Sequence, residues 1–227
     1  MNDKCIFFDV CQTKEHCSVD CIRYAEMTYL INHSGLPATL IKRNTLTPDK
    51  VDYDAFMYLA DIKDEIVDFV NNGRNLYIYS TTTGNGKTTW LSKLLKSYFN
   101  QIWAGNGFRT RGYYIDLPAF FMDLKDAINH PSDDLEERKE FLKNVDLLCV
   151  DSISPITVSE FEINHLSNIV DHRINNGLAT IYGSNLDENG LLRFFGTRLK
   201  SRIFNSSEII RFQGVDRRSQ KWSTHKF

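Results

Sequence analysis

The chain carries almost no surplus charge, with a formal net charge of −2 and a pI near 6.3. A broadly basic coat for nucleic acid is therefore excluded, and any contact with DNA has to be local. No apolar run is long enough to cross a bilayer, and the opening Met1-Asn2-Asp3-Lys4-Cys5 has no apolar stretch of the kind a secretory leader needs. The expectation is a soluble, cytoplasmic protein with no membrane partner. Internal repeats and low-complexity tracts are missing too, which excludes solenoids and long disordered linkers. Cysteine is nearly absent from the body: beyond residue 21 only Cys149 remains, and in its apolar run it reads as a small core residue.

The other cysteines, Cys5, Cys11, Cys17 and Cys21, crowd into the first two dozen residues. In a reducing cytosol such a cluster argues for metal rather than disulfides. Four thiolates close a structural Zn²⁺ site that holds a segment too short for its own core. The spacing C-x5-C-x5-C-x3-C has no C-x-x-C knuckle. Cys17 and Cys21 lie one helical turn apart, and His16 is available in place of a thiolate.

With 227 residues the chain can bury one sizeable α/β core plus a small appendage. Helix-like spacing runs from Ile22 to about His33 and stops at Ser34-Gly35-Leu36-Pro37, and a polar connector spans Ala38 to Lys50. A covering helix starts at Asp52 and closes at Asn72-Gly73.

Next comes the most informative stretch. Leu76-Tyr77-Ile78-Tyr79 is a strand, Ser80 to Gly86 a small polar turn, and the residues from Lys87 an amphipathic helix. This is the order of a P-loop, in which successive backbone N–H groups wrap a phosphate chain, a lysine meets the β/γ oxygens and a hydroxyl binds Mg²⁺. The expected cradle is Thr83, Gly84, Asn85, Gly86, Lys87, Thr88 and Thr89, and Thr81 stands where the pattern usually has its first glycine.

Gly112-Tyr113-Tyr114-Ile115-Asp116 reads as a second strand, and Pro118 opens a helix carrying Phe120, Phe121 and Leu124. Phe120, Phe121 and Lys125 are candidates for stacking and tracking single-stranded DNA, with a core role as the alternative for the two rings. A charged helix covers Asp133 to Lys143. Val145 to Asp151 is an apolar strand that delivers one carboxylate, the Walker-B pattern with Asp151 on Mg²⁺. Many such ATPases have a second acid next, which polarises the attacking water; here that residue is Ser152. A hydroxyl is no comparable base at neutral pH, so hydrolysis is slow or depends on another acid, Glu160 and Glu162 being the nearest after the strand. A helix from Ser159 to Asn176 leads to a strand Leu178 to Asn185, whose terminal amide can orient water against a γ-phosphate. Arg198 and Arg202 lie one turn apart on a helix, placed to reach a γ-phosphate in a neighbouring subunit, and a last strand covers Ile209 to Phe212.

With those residues in view, the chain resembles the DnaC-type (DnaC/DnaI-like) AAA+ replicative helicase loaders, in their phage-encoded variety. The resemblance runs through the Cys-rich head, Ser34-Gly35-Leu36-Pro37, Gly84 to Trp90, Asp146 to Ser152, Gly183-Ser184-Asn185, Gly196 to Arg202 and Gly214 to Arg218. It implies a parallel five-stranded sheet of order 5-1-4-3-2 flanked by helices, with little or no lid; only about two dozen residues follow Arg202, which agrees. It implies Lys87 and Thr88 as Walker A, Asp151 as Walker B, Asn185 as sensor 1, Arg202 as the arginine finger with Arg198 nearby, and Arg218 as a sensor 2-like residue. Cofactors would be ATP or ADP with Mg²⁺, besides the zinc. Residues 1–47 would form the helicase-contacting segment and residues 48–227 the ATPase domain. The implied partners are a DnaB-like hexameric helicase, single-stranded DNA, and further copies of the chain assembled on the helicase. The rival expectations are a transposition helper ATPase, an adaptor that binds nucleotide without hydrolysing it, and a small-molecule P-loop kinase, which the short tail argues against.

Overall fold

The computed structural model describes residues 21–42, 46–47, 50–129, 133–155 and 157–216, excluding the side chains of residues 129 and 134. Cys5, Cys11, His16, Cys17 and Arg218 lie outside the described residues, so the zinc ligand set and the sensor 2-like role stay as expectations.

The strands are β1 (Asn75–Tyr79), β2 (Gly112–Asp116), β3 (Leu147–Ile153), β4 (Ala179–Ser184) and β5 (Ser207–Arg211). They form one parallel sheet in the order β2-β3-β4-β1-β5. This is the expected topology. Parallel strands need crossovers, and the helices that supply them cover both faces, which is why the inner strands are apolar at successive positions. One face, with Leu76, Ile78, Leu147, Cys149 and Ile181, packs on α1 (Ile22–Asn32), α2 (Ala38–Lys42), α3 (Tyr53–Asp64), α4 (Ile66–Asn71) and α5 (Lys87–Ile102). The other, with Tyr77, Leu148, Val150 and Tyr182, packs on α6 (Leu117–Asn129), α7 (Asp133–Asn144), α8 (Glu160–Asn175) and α9 (Glu188–Asn205).

Three local expectations are corrected. The stretch from Ala38, read as a connector, begins with the short helix α2, because Leu40 is buried and the Lys96 ammonium takes the carbonyls of Leu40 and Ile41 at 3.0 and 3.2 Å. The covering helix after Asp52 is two helices, parted at Glu65, whose own carbonyl restarts the ladder by accepting from Phe69. Strand β3 runs past Asp151 to Ile153, with a register irregularity between Val150 and Ile153. Residues 22–42, placed by sequence in the N-terminal segment, share their apolar cluster with α5 through Met27, Leu30, Ile31, Leu36 and Leu40.

The Ser34-Gly35-Leu36-Pro37 turn docks on the outer strand. The Ser34 carbonyl accepts the Tyr114 amide at 2.7 Å, covering part of an edge that would otherwise show unpaired amides. Gly35, at φ +70°, lies so close to the Tyr114 carbonyl that a Cβ would collide with it.

At the amino-terminal edge of the sheet, Arg173 of α8 is fully buried. Its guanidinium donates to the carbonyls of Leu142 (2.9 Å), Val145 (2.7 Å) and Ala179 (2.6 Å) and to the Thr180 hydroxyl (3.0 Å). Burial lowers its pKa to about 10. Alongside, the Asn75 side chain accepts from the Thr180 amide at 2.9 Å, and Arg111 pairs with Asp146.

Candidate functional site

Ligands of open parallel sheets bind beyond the carboxyl ends of the strands. There the chain leaves β1 in a turn whose glycines, Gly84 at φ +72° and Gly86 at φ +106°, hold left-handed backbone that other residues rarely adopt. Thr81, by contrast, has no positive φ, so this turn does not need a glycine at the position where the pattern usually has one. Gly86 is the N-cap of the 16-residue helix α5 and, having no side chain, brings no side-chain cap of its own. Asn85 is fully buried and braces the turn: its Nδ2 donates to the Thr82 hydroxyl at 3.2 Å and its Oδ1 accepts the Lys87 ammonium at 3.2 Å. Lys87 also donates to the Thr82 carbonyl at 3.0 Å. Both oxygens draw the ammonium into the turn, the position from which a lysine meets phosphate oxygens.

Next to the turn, the structure joins the two side chains expected on Mg²⁺. The Tyr114 hydroxyl donates to the Asp151 carboxylate at 2.8 Å, and the Thr88 hydroxyl lies near enough to that carboxylate to lower its pKa. Asp151 is 3 % exposed, and burial raises its pKa above the usual carboxylate range while both hydroxyls pull it back. Hydroxyls and the Ser152 backbone amide face its charge, and no ion pair reaches it among the described residues, an environment that a divalent ion completes. Thr88 and Asp151 are therefore the residues that would hold Mg²⁺. Gly183 of β4 makes room for this carboxylate, since a Cβ there would collide with Asp151 Oδ1. Asn185 follows β4 at the same edge of the sheet, where its backbone N–H donates to the Ile153 carbonyl at 2.7 Å.

Two residues absent from the sequence expectation complete this edge. Asp116 ends β2 as the register partner of Asp151, and Ser152, at φ +65°, donates its hydroxyl to Asp116 Oδ2 at 2.6 Å. Asp216 lies over the turn: it accepts from the Thr83 hydroxyl at 3.3 Å, and a Cβ on Gly84 would overlap its carboxylate. The segment that carries it is strapped down by buried Asp52, which accepts the amides of Gln213 (2.7 Å) and Gly214 (3.0 Å). A pattern was there to be seen for Asp116, because the apolar runs read as the second and third strands both close on an aspartate. Asp216 lies in the Gly214 to Arg218 stretch of the resemblance, which gave it no role.

The remaining expected residues lie elsewhere. Arg198 and Arg202 flank Asp171 of α8, at 2.6 and 2.9 Å. Phe120 and Phe121 are core residues at 0 % and 2 % exposure, which removes them as DNA-stacking platforms, and Lys125 pairs with Glu162 at 3.1 Å. Glu162, one of the acids considered for water activation, forms the capping box of α8 with Ser159, and Glu160 lies exposed in the same first turn. Cys21, the described member of the cysteine cluster, caps α1 by accepting the Tyr24 amide at 3.4 Å. No helix among the described residues is long and apolar enough to cross a membrane.

No protein-family model and no curated protein matches the chain. Solved structures do. The DnaC helicase loader superposes with a TM-score of 0.63 at 19 % identity, covering 74 % of this chain and 94 % of that one. DnaI gives 0.63 at 18 % identity, covering 80 % and 94 %. The replication initiator DnaA, bound to AMPPCP and single-stranded DNA, gives 0.60 at 16 % identity, covering 74 % and 48 %. The chain therefore has the AAA+ type of α/β fold seen in these proteins.

Proposed function

We propose that the chain is an ATP-binding replication accessory protein, a phage-encoded loader that delivers a hexameric replicative helicase to single-stranded DNA. The observation that carries the nucleotide part is the juxtaposition of Thr88 and the buried Asp151 carboxylate beside a lysine-bearing helix start whose N-cap is a glycine. The loader part rests on the fold shared with DnaC and DnaI and on the motifs that run through the chain. In this reading Lys87, the amides of the turn, Arg198 and Arg218 contact phosphate. Thr88 and Asp151 hold Mg²⁺, which supplies charge neutralisation on the phosphate oxygens, and Asn185 orients water. Arg202 serves the site of a neighbouring copy on the helicase, for which its half-exposed place on α9 suits it. The four-cysteine head binds zinc and grips the helicase.

The decisive experiment mixes the full chain with the host helicase, with and without ATP, and resolves the products by size, with elemental analysis for zinc. A complex that depends on nucleotide and is lost in Lys87→Ala is the expected result. Capture of a transposase in place of a helicase would move the protein to the transposition helpers. Ser152 favours a second reading, an adaptor that binds ATP without hydrolysing it, and single-turnover hydrolysis separates the two.

A further inference from the structure

Position 152 carries no acid, but the neighbouring strand brings one against it. Along the sheet from the phosphate turn, the order is β1, β4, β3, β2. A triphosphate that starts at the turn after β1 and meets its metal at Asp151 on β3 has its γ-phosphate directed toward β2. In-line displacement requires the attacking water on the side away from the leaving group, so the group that activates it has to stand beyond Asp151 as seen from Lys87. Asp116 stands there. It is the register partner of Asp151, one strand further out, and is partly exposed.

Its carboxylate is oriented on both oxygens. Oδ1 accepts the Ala119 amide at 3.2 Å, in the first turn of α6, and Oδ2 accepts the Ser152 hydroxyl at 2.6 Å. Ser152 reaches it from left-handed backbone, within the register irregularity of β3. Such backbone is strained for a residue other than glycine and is concentrated at functional sites; bulges there re-aim a side chain.

We propose that Asp116 is the catalytic carboxylate that activates water for ATP hydrolysis, and that Ser152 is its positioning residue. In the step, the water oxygen bonds to the γ-phosphorus as the bond from that phosphorus to the β,γ-bridging oxygen breaks. The bridging oxygen keeps the electron pair and leaves in ADP. One water proton passes to Asp116, giving ADP and inorganic phosphate.

The inference rests on the nucleotide-binding reading, and the test separates the two. Asp116→Asn keeps the helix-capping oxygen, since Asn caps as well as Asp, but removes the base. Three quantities are measured on the full chain with Mg²⁺: affinity for a fluorescent ATP analogue, melting temperature, and ATP turnover at protein concentrations up to assembly with single-stranded DNA. Asp116→Asn is expected to leave affinity and melting temperature at the wild-type values and to cut turnover by about 100-fold. Ser152→Ala is expected to cut turnover by about 10-fold, through loss of one orienting hydrogen bond. Asp116→Asn with Ser152→Glu, which returns the acid to β3, is expected to recover turnover. A merely structural role for Asp116 would lower the melting temperature and would not be rescued by a glutamate at 152. If the wild type binds the analogue but Asp116→Asn turns over as fast, or the wild type does not turn over at all, the assignment of Asp116 is overturned and nucleotide binding stands. If the wild type binds no analogue, both readings fall.

Discussion

The two edges of the sheet both bury polar side chains, yet they treat them in opposite ways. At the amino-terminal edge Arg173 divides its donors among three carbonyls and a hydroxyl, all contributed by the strands and helix ends around it. A buried cation with full hydrogen bonding is a fastening, expensive to loosen and offering nothing to a ligand. At the carboxyl-terminal edge a buried carboxylate stands beside a lysine-bearing turn. Lys87 donates to a carbonyl and an amide oxygen of the turn, Asp151 accepts from the Tyr114 hydroxyl, and the N-cap of the helix behind the turn is a glycine. The difference teaches that burial alone does not mark a site. A buried carboxylate at the strand ends, next to a helix start, does.

That contrast yields graded predictions. The largest effect is expected at the closed edge: Arg173→Ala strands several carbonyls and should cost about 3–5 kcal/mol. Urea unfolding measures it, and nucleotide affinity taken well below the transition should be unchanged. Lys87→Ala should do the reverse, weakening an ATP analogue by about 100-fold by fluorescence titration with little change in urea midpoint. Should either substitution move both readouts together, the division between edges fails. Gly183→Ala sharpens the contrast, because its methyl displaces the Asp151 carboxylate and overpacks against Leu91. Mg²⁺-dependent nucleotide affinity should fall by about tenfold, within the range for overpacking a tight contact, as calorimetry with and without Mg²⁺ would show. The smallest effect belongs to Asp216→Ala. Removing a carboxylate from above the turn should tighten nucleotide by about threefold, the scale of one partly exposed charge, and tightening should fade in high salt.

Much of the open edge could be read from the chain because its chemistry is local. Gly84, Gly86, Lys87 and Thr88 are contiguous, and a strand before them and a helix after them are forced by short-range periodicity. Asp151 was legible as the acid that closes an apolar run. The sheet order followed from resemblance, and parallel pairing in the structure agrees with it. What escaped was lateral: Asp116 and Ser152 are 36 positions apart and meet only because β2 lies beside β3. Tyr114 reaches Asp151 for the same reason, and Asp216 reaches Gly84 only once β5 lies beside β1. The closed edge was invisible altogether, since nothing in Asp171-His172-Arg173-Ile174 distinguishes an arginine destined for the interior from one bound for solvent. Phe120 and Phe121 were ambiguous for a related reason, an apolar stripe serving equally well as core or as platform.

The turn at Ser34 gives the amino-terminal region a mechanical connection to all this. Its carbonyl grips the backbone of Tyr114, while the far end of that same tyrosine, across a stiff aromatic ring, grips Asp151. A force applied to the chain ahead of Ser34 would therefore act on one end of a short rod whose other end holds the Asp151 carboxylate. Traffic along such a rod runs both ways: whatever that force did to the affinity of a cation at Asp151, the cation would do to the force in equal measure.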